Sequence, residues 1–203
     1  MAITPNTLNL CGSAEVALVV GGGNDPIQEY RDAKALCGDR LTMNFVCNDM
    51  ISVFPDAIDN AVTLHPEKML IWMHERSKAN LPGVERTWAH REWPGFTNHT
   101  RDWGGSSGLM CVKIARESGF THIVLCGVPM TVEGKHFKRN QDWNAAHTFR
   151  RGWDRAGQRN LDAFVRSMSG WTQERFGAPD QKWLSALIPD PHPLRPENVG
   201  LKA

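Results

Sequence analysis

Residues 106–130, SSGLMCVKIARESGFTHIVLCGVPM, hold a loop, a helix and a buried strand in consecutive order, and their reading decides the fold. Gly104, Gly105 and Gly108 bracket Ser106 and Ser107, so the backbone can turn tightly and leave unpaired N–H groups where the helix starts. An anion fits such a helix start. Cys111, Ile114, Ala115 and Ser118 form a small apolar face opposite Lys113, Arg116 and Glu117, which predicts a helix lying on a sheet. Gly119 ends it. His122 to Cys126 then reads as a short central strand, opening at its C-terminal end into Gly127, Val128, Pro129 and Met130. Ligands of open α/β sheets bind at such strand ends.

Upstream, Ala14 to Val20 is a second apolar, β-branched run and reads as the first buried parallel strand, after a polar lead-in at 1–13. It stops at Gly21, Gly22 and Gly23, followed by Asn24, Asp25 and Pro26. Asp25 suits the N-cap, Pro26 the first helical position and Gln28 the return half of a capping box, for a helix running to about Gly38. Leu41 to Cys47 is the second strand, ending in Asn48 and Asp49 and followed by a short helical piece broken near Pro55. Ala61 to Leu64 and Met69 to Met73 are further apolar runs, at least one of them a strand. From His74 to Trp103 the chain is rich in Pro, Gly, Trp, His and Arg without a period, which predicts an irregular insertion with one edge strand near Arg86 to Ala89. Stretches of this kind inside a domain are often functional.

Downstream of the opening stretch lies a loop, Thr131 to Asn140. Then Trp143, Ala146, Phe149, Trp153, Ala156, Asn160, Phe164 and Met168 recur at helical spacing, a core-facing stripe that Gly152 and Gly157 can break. A last helix over Asp180 to Leu187 precedes a tail carrying Pro189, Pro191, Pro193 and Pro196. The expected architecture is a single Rossmann-like α/β domain over 1–188, with a mainly parallel sheet flanked by helices and a Trp-rich insertion, and a Pro-rich tail at 189–203.

A chain of 203 residues suffices for one such domain with a full core. Its net charge of +1 excludes a surface that is a nucleic-acid footprint throughout, but not a local basic patch. Five cysteines, an odd number without paired spacing and mostly in apolar surroundings, predict reduced thiols and a cytoplasmic protein. No apolar run approaches a membrane span. Eight tryptophans against one tyrosine are first of all core, although a subset can stack on a base or sugar.

The motif inventory is short. The first glycine turn falls short of G-x-G-x-x-G because Pro26 stands at the third position, which removes the glycine that lets helix and strand approach closely. There is no Walker loop, H-E-x-x-H, C-x-x-C or D-x-D, so no metal site is predicted. His136 and His147 follow the strand end at Met130 and are the candidate general bases, a neutral imidazole being able to take a proton from a hydroxyl. Lys135, Lys138, Arg139, Arg150, Arg151, Arg155, Arg159 and Arg166 gather late in the chain. Interleaved Asp142, Asp154 and Asp162 suggest a salt-bridged, solvated helix face. The sharper alternative is a patch for a phosphate-bearing acceptor or nucleic acid.

GGGND at 21–25, Asn48 after the second strand, and SSG at 106–108 leading into A-x-x-x-G-F-x-x-I-x-L-x-G-V together resemble the nucleotide-binding core of bacterial sialyltransferase-like and motility-associated glycosyltransferases. The SSGLM…GVPM stretch with His136-Phe137 is most similar to uncharacterised tailed-phage and prophage proteins of that kind. The resemblance implies a nucleotide or nucleotide sugar as substrate or ligand, with no further cofactor. It puts Gly22, Gly23, Asn24, Asp25, Asn48, Ser106, Ser107, Gly108 and Gly127 at the nucleotide, and His147 or His136 as the base of metal-independent glycosyl transfer to an acceptor that neither the resemblance nor the residues identify, a glycan and a nucleic acid being the candidates. The chain departs from the family at Pro129, where an aspartate is common, and in having only Tyr30 where the family uses tyrosines at the leaving phosphate. That departure leaves a non-catalytic nucleotide-binding phage accessory protein as an alternative. Gly104 to Met110 with Gly127-Val128-Pro129 also resembles the lysine-decarboxylase-like phosphoribohydrolases, which would imply hydrolysis of the glycosidic bond of a nucleoside monophosphate. Their P-G-G-x-G-T-x-x-E loop is missing here.

Overall fold

The computed structural model describes residues 15–133, 136–138 and 143–186. The lead-in at 1–13, the Pro-rich tail at 189–203, and Lys135, Arg139 and Asp142 lie outside the described residues.

Seven strands form one sheet in the order β5-β4-β3-β2-β1-β6-β7, and every pairing is parallel. They are β1 (Val16–Val20), β2 (Thr42–Cys47), β3 (Ile58–Thr63), β4 (Val84–Ala89), β5 (Asn98–His99), β6 (His122–Cys126) and β7 (Val165–Ser167). The helices are α1 (Pro26–Cys37), α2 (Met69–Lys78), α3 (Ser107–Glu117), α4 (Ala146–Gly157), α5 (Leu161–Phe164), α6 (Gly170–Phe176) and α7 (Gln181–Leu184). This is the Rossmann-like α/β architecture expected from residues 106–130.

β1 is central, with Val16 opposite both Thr42 of β2 and His122 of β6. All five of its residues are buried, because a parallel strand is covered on both faces. Period-two alternation then divides the core. Ala17 and Val19 pack with α3, Trp153 and Phe164 on one side, whereas Val16, Leu18 and Val20 pack with Tyr30, Ala33, Met50, Met69 and Trp72 on the other. The helices change face when the chain, having stepped outward from β1 to β5, returns through α3 to β6. Right-handed crossovers require that change.

Several local expectations are corrected. Of the two apolar runs, Ala61 to Thr63 supplies the expected strand as the end of β3, whereas Met69 to Met73 is the start of α2, since Leu70 and Ile71 are exposed while Met69, Trp72 and Arg76 are buried, a helical spacing. The supposed irregular region holds the rest of α2, β4 and β5. β4 is interior and β5 forms the edge. The stripe from Trp143 to Met168 is not one helix: the chain leaves α4 near Gly157, turns at left-handed Asn160 (φ 60°), makes α5 and enters β7. Phe164 therefore closes a helix and Val165 opens a strand, both buried in one cluster. The capping box is half-formed. Asp25 accepts from the Gln28 amide (3.3 Å), but the Gln28 side chain turns to Asp32 (2.8 Å).

Close approach at the first turn is also not lost with the missing third glycine. Gly127, at φ +63°, supplies it from the other side. A Cβ there would lie 2.6 Å from both the Gly21 carbonyl oxygen and the Pro26 Cβ.

Candidate functional site

The crevice lies where the strand order reverses, at the C-terminal ends of β1 and β6. Two backbone bonds weld its floor: Gly21 N–H donates to Cys126 O (2.8 Å) and Gly23 N–H to Gly127 O (2.9 Å). The Gly127 N–H donates in turn to the Glu29 carboxylate on α1 (2.7 Å). Burial pushes the Glu29 carboxyl above its ordinary range, against the pull of the Gly127 hydrogen bond. Asn24, left-handed at φ 53°, donates through Nδ2 to Ser169 Oγ beyond β7 (3.2 Å). Gly22, Gly23, Asn24 and Gly127 are thus one unit, with Asp25 capping the helix behind them.

At the end of β2, Asn48 is left-handed (φ 56°), a conformation asparagine tolerates better than most residues. The turn sends Asn48 and Asp49 to different partners. Asn48 Oδ1 accepts from Ser107 Oγ (2.9 Å) and Thr63 Oγ1 (3.0 Å), tying β2 and β3 to the start of α3. Its Nδ2 donates to no protein group among the described residues. Ser107 Oγ also accepts from the Leu64 N–H (3.2 Å). Ser106 is the N-cap, its Oγ accepting from Leu109 N–H (3.3 Å) and from the Trp153 indole N–H (3.2 Å). The Ser107 and Gly108 amides have no acceptor among the described residues, as first-turn amides of a helix commonly do not. Gly108 is small for a reason: a Cβ there would come within 3.0 Å of Val128, which also packs on Gly21.

Asp49 faces the opposite way and meets His136, whose Nε2 lies 3.2 Å from Asp49 Oδ1. Residues 136–138 form a strap across the glycine turn. Phe137 N–H donates to Gly22 O (2.8 Å), and a Cβ on Gly22 would strike His136 Nε2 at 2.6 Å. Lys138 closes the strap by donating to Ser52 Oγ (2.9 Å) and Glu75 (3.1 Å). Burial alone would raise the Asp49 carboxyl, but the His136 hydrogen bond and the charge of Lys138 help outweigh it and hold it below the ordinary range. The Lys138 N–H donates to His136 Nδ1 (3.2 Å), which makes Nε2–H the tautomer and directs that proton to Asp49. Both ring nitrogens are therefore engaged.

Of the residues singled out in sequence, the crevice gathers Gly22, Gly23, Asn24, Asn48, Ser106, Ser107, Gly108, Gly127 and His136. It does not gather His147, which is exposed at the start of α4 and makes no hydrogen bond or ion pair among the described residues. Sequence reasoning missed Asp49 as the partner of His136, Glu29 as the clip on Gly127, and Thr63, Trp153 and Ser169. The adjacency of Asn48 and Asp49 at a strand end was the one available signal. The two described interleaved aspartates do not serve the α4 arginines: Arg175 of α6 takes both Asp154 (3.8 Å) and Asp162 (2.6 Å).

A hollow of about 320 Å³ lies at the opposite, N-terminal ends of β1 and β6, lined by Glu15, Arg40, His122 and Leu184. Its polar groups are spent on one another: Arg40 donates to Cys37 O and Ser185 Oγ, and His122 Nε2 meets Trp183 O. The crevice, by contrast, keeps donors without acceptors among the described residues. Among the described residues no cluster of three or more His, Cys, Asp or Glu side chains is arranged to hold a metal ion, and no helix is long and apolar enough to cross a membrane. Comparison with protein-family models, curated proteins and solved structures finds no match to this chain.

Proposed function

We propose that the crevice binds a nucleotide or nucleotide sugar and that the protein transfers the glycosyl group to an acceptor hydroxyl. The observation that carries the binding half is the convergence, beside the point of strand-order reversal, of three donors without acceptors among the described residues: Asn48 Nδ2 and the Ser107 and Gly108 amides. The α3 dipole adds positive potential there, which suits a phosphate. The reaction class comes from the resemblance to sialyltransferase-like and phage-encoded proteins, carried by the same residues. His136 is the better base of the two histidines, because it sits on the glycine turn and has a carboxylate behind it. Its Nδ1 becomes available once the Lys138 N–H is released, and Asp49 then stabilises the imidazolium that forms.

A second reading, nucleotide binding without transfer, is favoured by the engagement of both His136 nitrogens and by Pro129 at the β6 end. A thermal-shift series with CMP, UDP, GDP, ADP-ribose and their sugar conjugates tests both. Stabilisation by at least one is expected, and no stabilisation by any would reject the two readings together. Incubation of a stabilising sugar conjugate with the wild type and with His136→Ala then separates them. Turnover lost in the variant supports transfer, whereas binding without turnover in the wild type supports the module.

A further inference from the structure

Outside the crevice, the strongest unpartnered feature is a ridge of arginines on α4. Ala146, Gly152, Trp153 and Ala156 bury one side of this helix. Arg151 and Arg155 are exposed on the other, and exposed Arg159 continues their line in the turn that follows. Positions four apart on a helix are about 6 Å apart along its axis. Like charges at this spacing repel and cost helix stability.

Among the described residues, four carboxylates on the same side of the fold are engaged with other partners. Asp154 and Asp162 go to Arg175, Asp102 accepts from the Gly104 N–H (2.8 Å), and Glu117 is held by Lys113. Arg159 contributes to the field on Glu117, but its guanidinium lies over the Trp103 ring, 5.0 Å from the centroid. Arg151 and Arg155 have no hydrogen-bond or ion-pair partner among the described residues. Trp103, beside the ridge, is half-buried. The ridge also borders the loop leading into α3. Gly152 packs against the Gly104 carbonyl, and a Cβ on Gly104 would lie 3.7 Å from the Arg155 guanidinium.

We propose that Arg151, Arg155 and Arg159, with Trp103, form a binding surface for single-stranded nucleic acid. Regularly spaced cations in one line match a phosphate backbone, and the Trp103 ring at their end becomes a stacking platform for an unpaired base when the Arg159 guanidinium moves from its face to a phosphate. A duplex gives such a ring no free base face, and an acidic peptide would not need it. The surface stands on its own geometry and does not depend on what the crevice binds.

Fluorescence anisotropy with a labelled 12-nucleotide oligothymidylate tests it. With three phosphate contacts, the slope of log K against log salt should be about −2, so affinity falls roughly 20-fold between 50 and 200 mM salt. Arg151→Ala/Arg155→Ala, at two exposed positions, should keep the thermal midpoint and reduce that slope to about −0.7. Trp103→Ala should weaken binding while leaving the slope near its original value. The proposal is overturned by no binding at 50 mM salt, by an unchanged slope in the double variant, or by equal or tighter binding of a duplex or of polyglutamate.

Discussion

Arg76 is a buried charged side chain whose removal the structure makes costly. It sits on α2 at 2% exposure and donates to four carbonyls: Pro82 (2.6 Å), Ile51 (3.1 Å), Phe54 (2.7 Å) and Asp56 (2.5 Å). These carbonyls belong to the β2–β3 and α2–β4 connections, so one guanidinium stands in for a missing hydrogen-bonded element. Hydrogen bonds from a charged donor contribute about 1.5–3 kcal/mol each, a gross gain of roughly 6–12 kcal/mol over four. Burial of the charge, which also lowers the Arg76 pKa, offsets several kcal/mol of that. Arg76→Met keeps the stem and orphans the carbonyls, and should cost about 3–5 kcal/mol. For a chain of this size that is a fall in thermal midpoint of roughly 6–20 °C. Arg76→Lys should recover little, because one ammonium cannot span acceptors arranged for a planar fork. Urea titration of the three proteins decides it. A lysine variant within about 0.5 kcal/mol of wild type would show that the fork geometry is unimportant and refute the reasoning. The segment 51–56 follows directly on Asn48 and Asp49, so the methionine variant should also weaken any nucleotide-induced thermal shift.

Gly127→Ala combines positive φ with a backbone clash and should destabilise by about 2–5 kcal/mol, whereas Gly83→Ala, with nothing within 4 Å, should stay within about 0.5 kcal/mol; equal urea midpoints would overturn the packing argument. Asp49 has a lowered carboxyl pKa, so its stabilisation is complete above its unfolded value and is lost as pH falls through the folded one. The stability gap between wild type and Asp49→Asn should therefore be about 1–2 kcal/mol at pH 7 and shrink below about pH 4; a gap independent of pH would rule out an ionised Asp49 partner for His136. Burial raises the Cys111 and Cys126 thiols well above their ordinary range, so both should resist a disulfide reagent at pH 8 until the chain is unfolded. Rapid modification of either in the native protein, read by mass spectrometry, would contradict their burial.

The legible parts of this chain were those with a strong local period or a backbone requirement. AEVALVV and HIVLC read as buried strands because parallel strands need apolar side chains on both faces, and the structure pairs them as neighbours. Asp25 and Pro26 marked the start of α1, and Ser106 the start of α3, through capping chemistry that is local to a few residues. The illegible parts were those where two periods compete. Phe164 and Val165 fit a helical stripe as well as a strand, and left-handed Asn160 decides between them. IDNAVT could not be placed as an interior strand from sequence because Asn60 is polar. Its burial is tolerated because its Oδ1 accepts from the Trp88 indole N–H (2.9 Å), a partner 28 residues away.

The candidate site divides along the same line. The glycine turn, Asn48 and the Ser106–Gly108 start of α3 follow from the sequence by itself, since each is a strand end or helix start written in consecutive residues. The pairing of Asp49 with His136, the clip from Glu29 to Gly127, the choice between His136 and His147, and the loss of Asp154 and Asp162 to Arg175 were decided by tertiary structure alone. Each depends on groups well separated along the chain. Such contacts depend on which loops the sheet order brings side by side, and nothing in the neighbouring residues encodes that order.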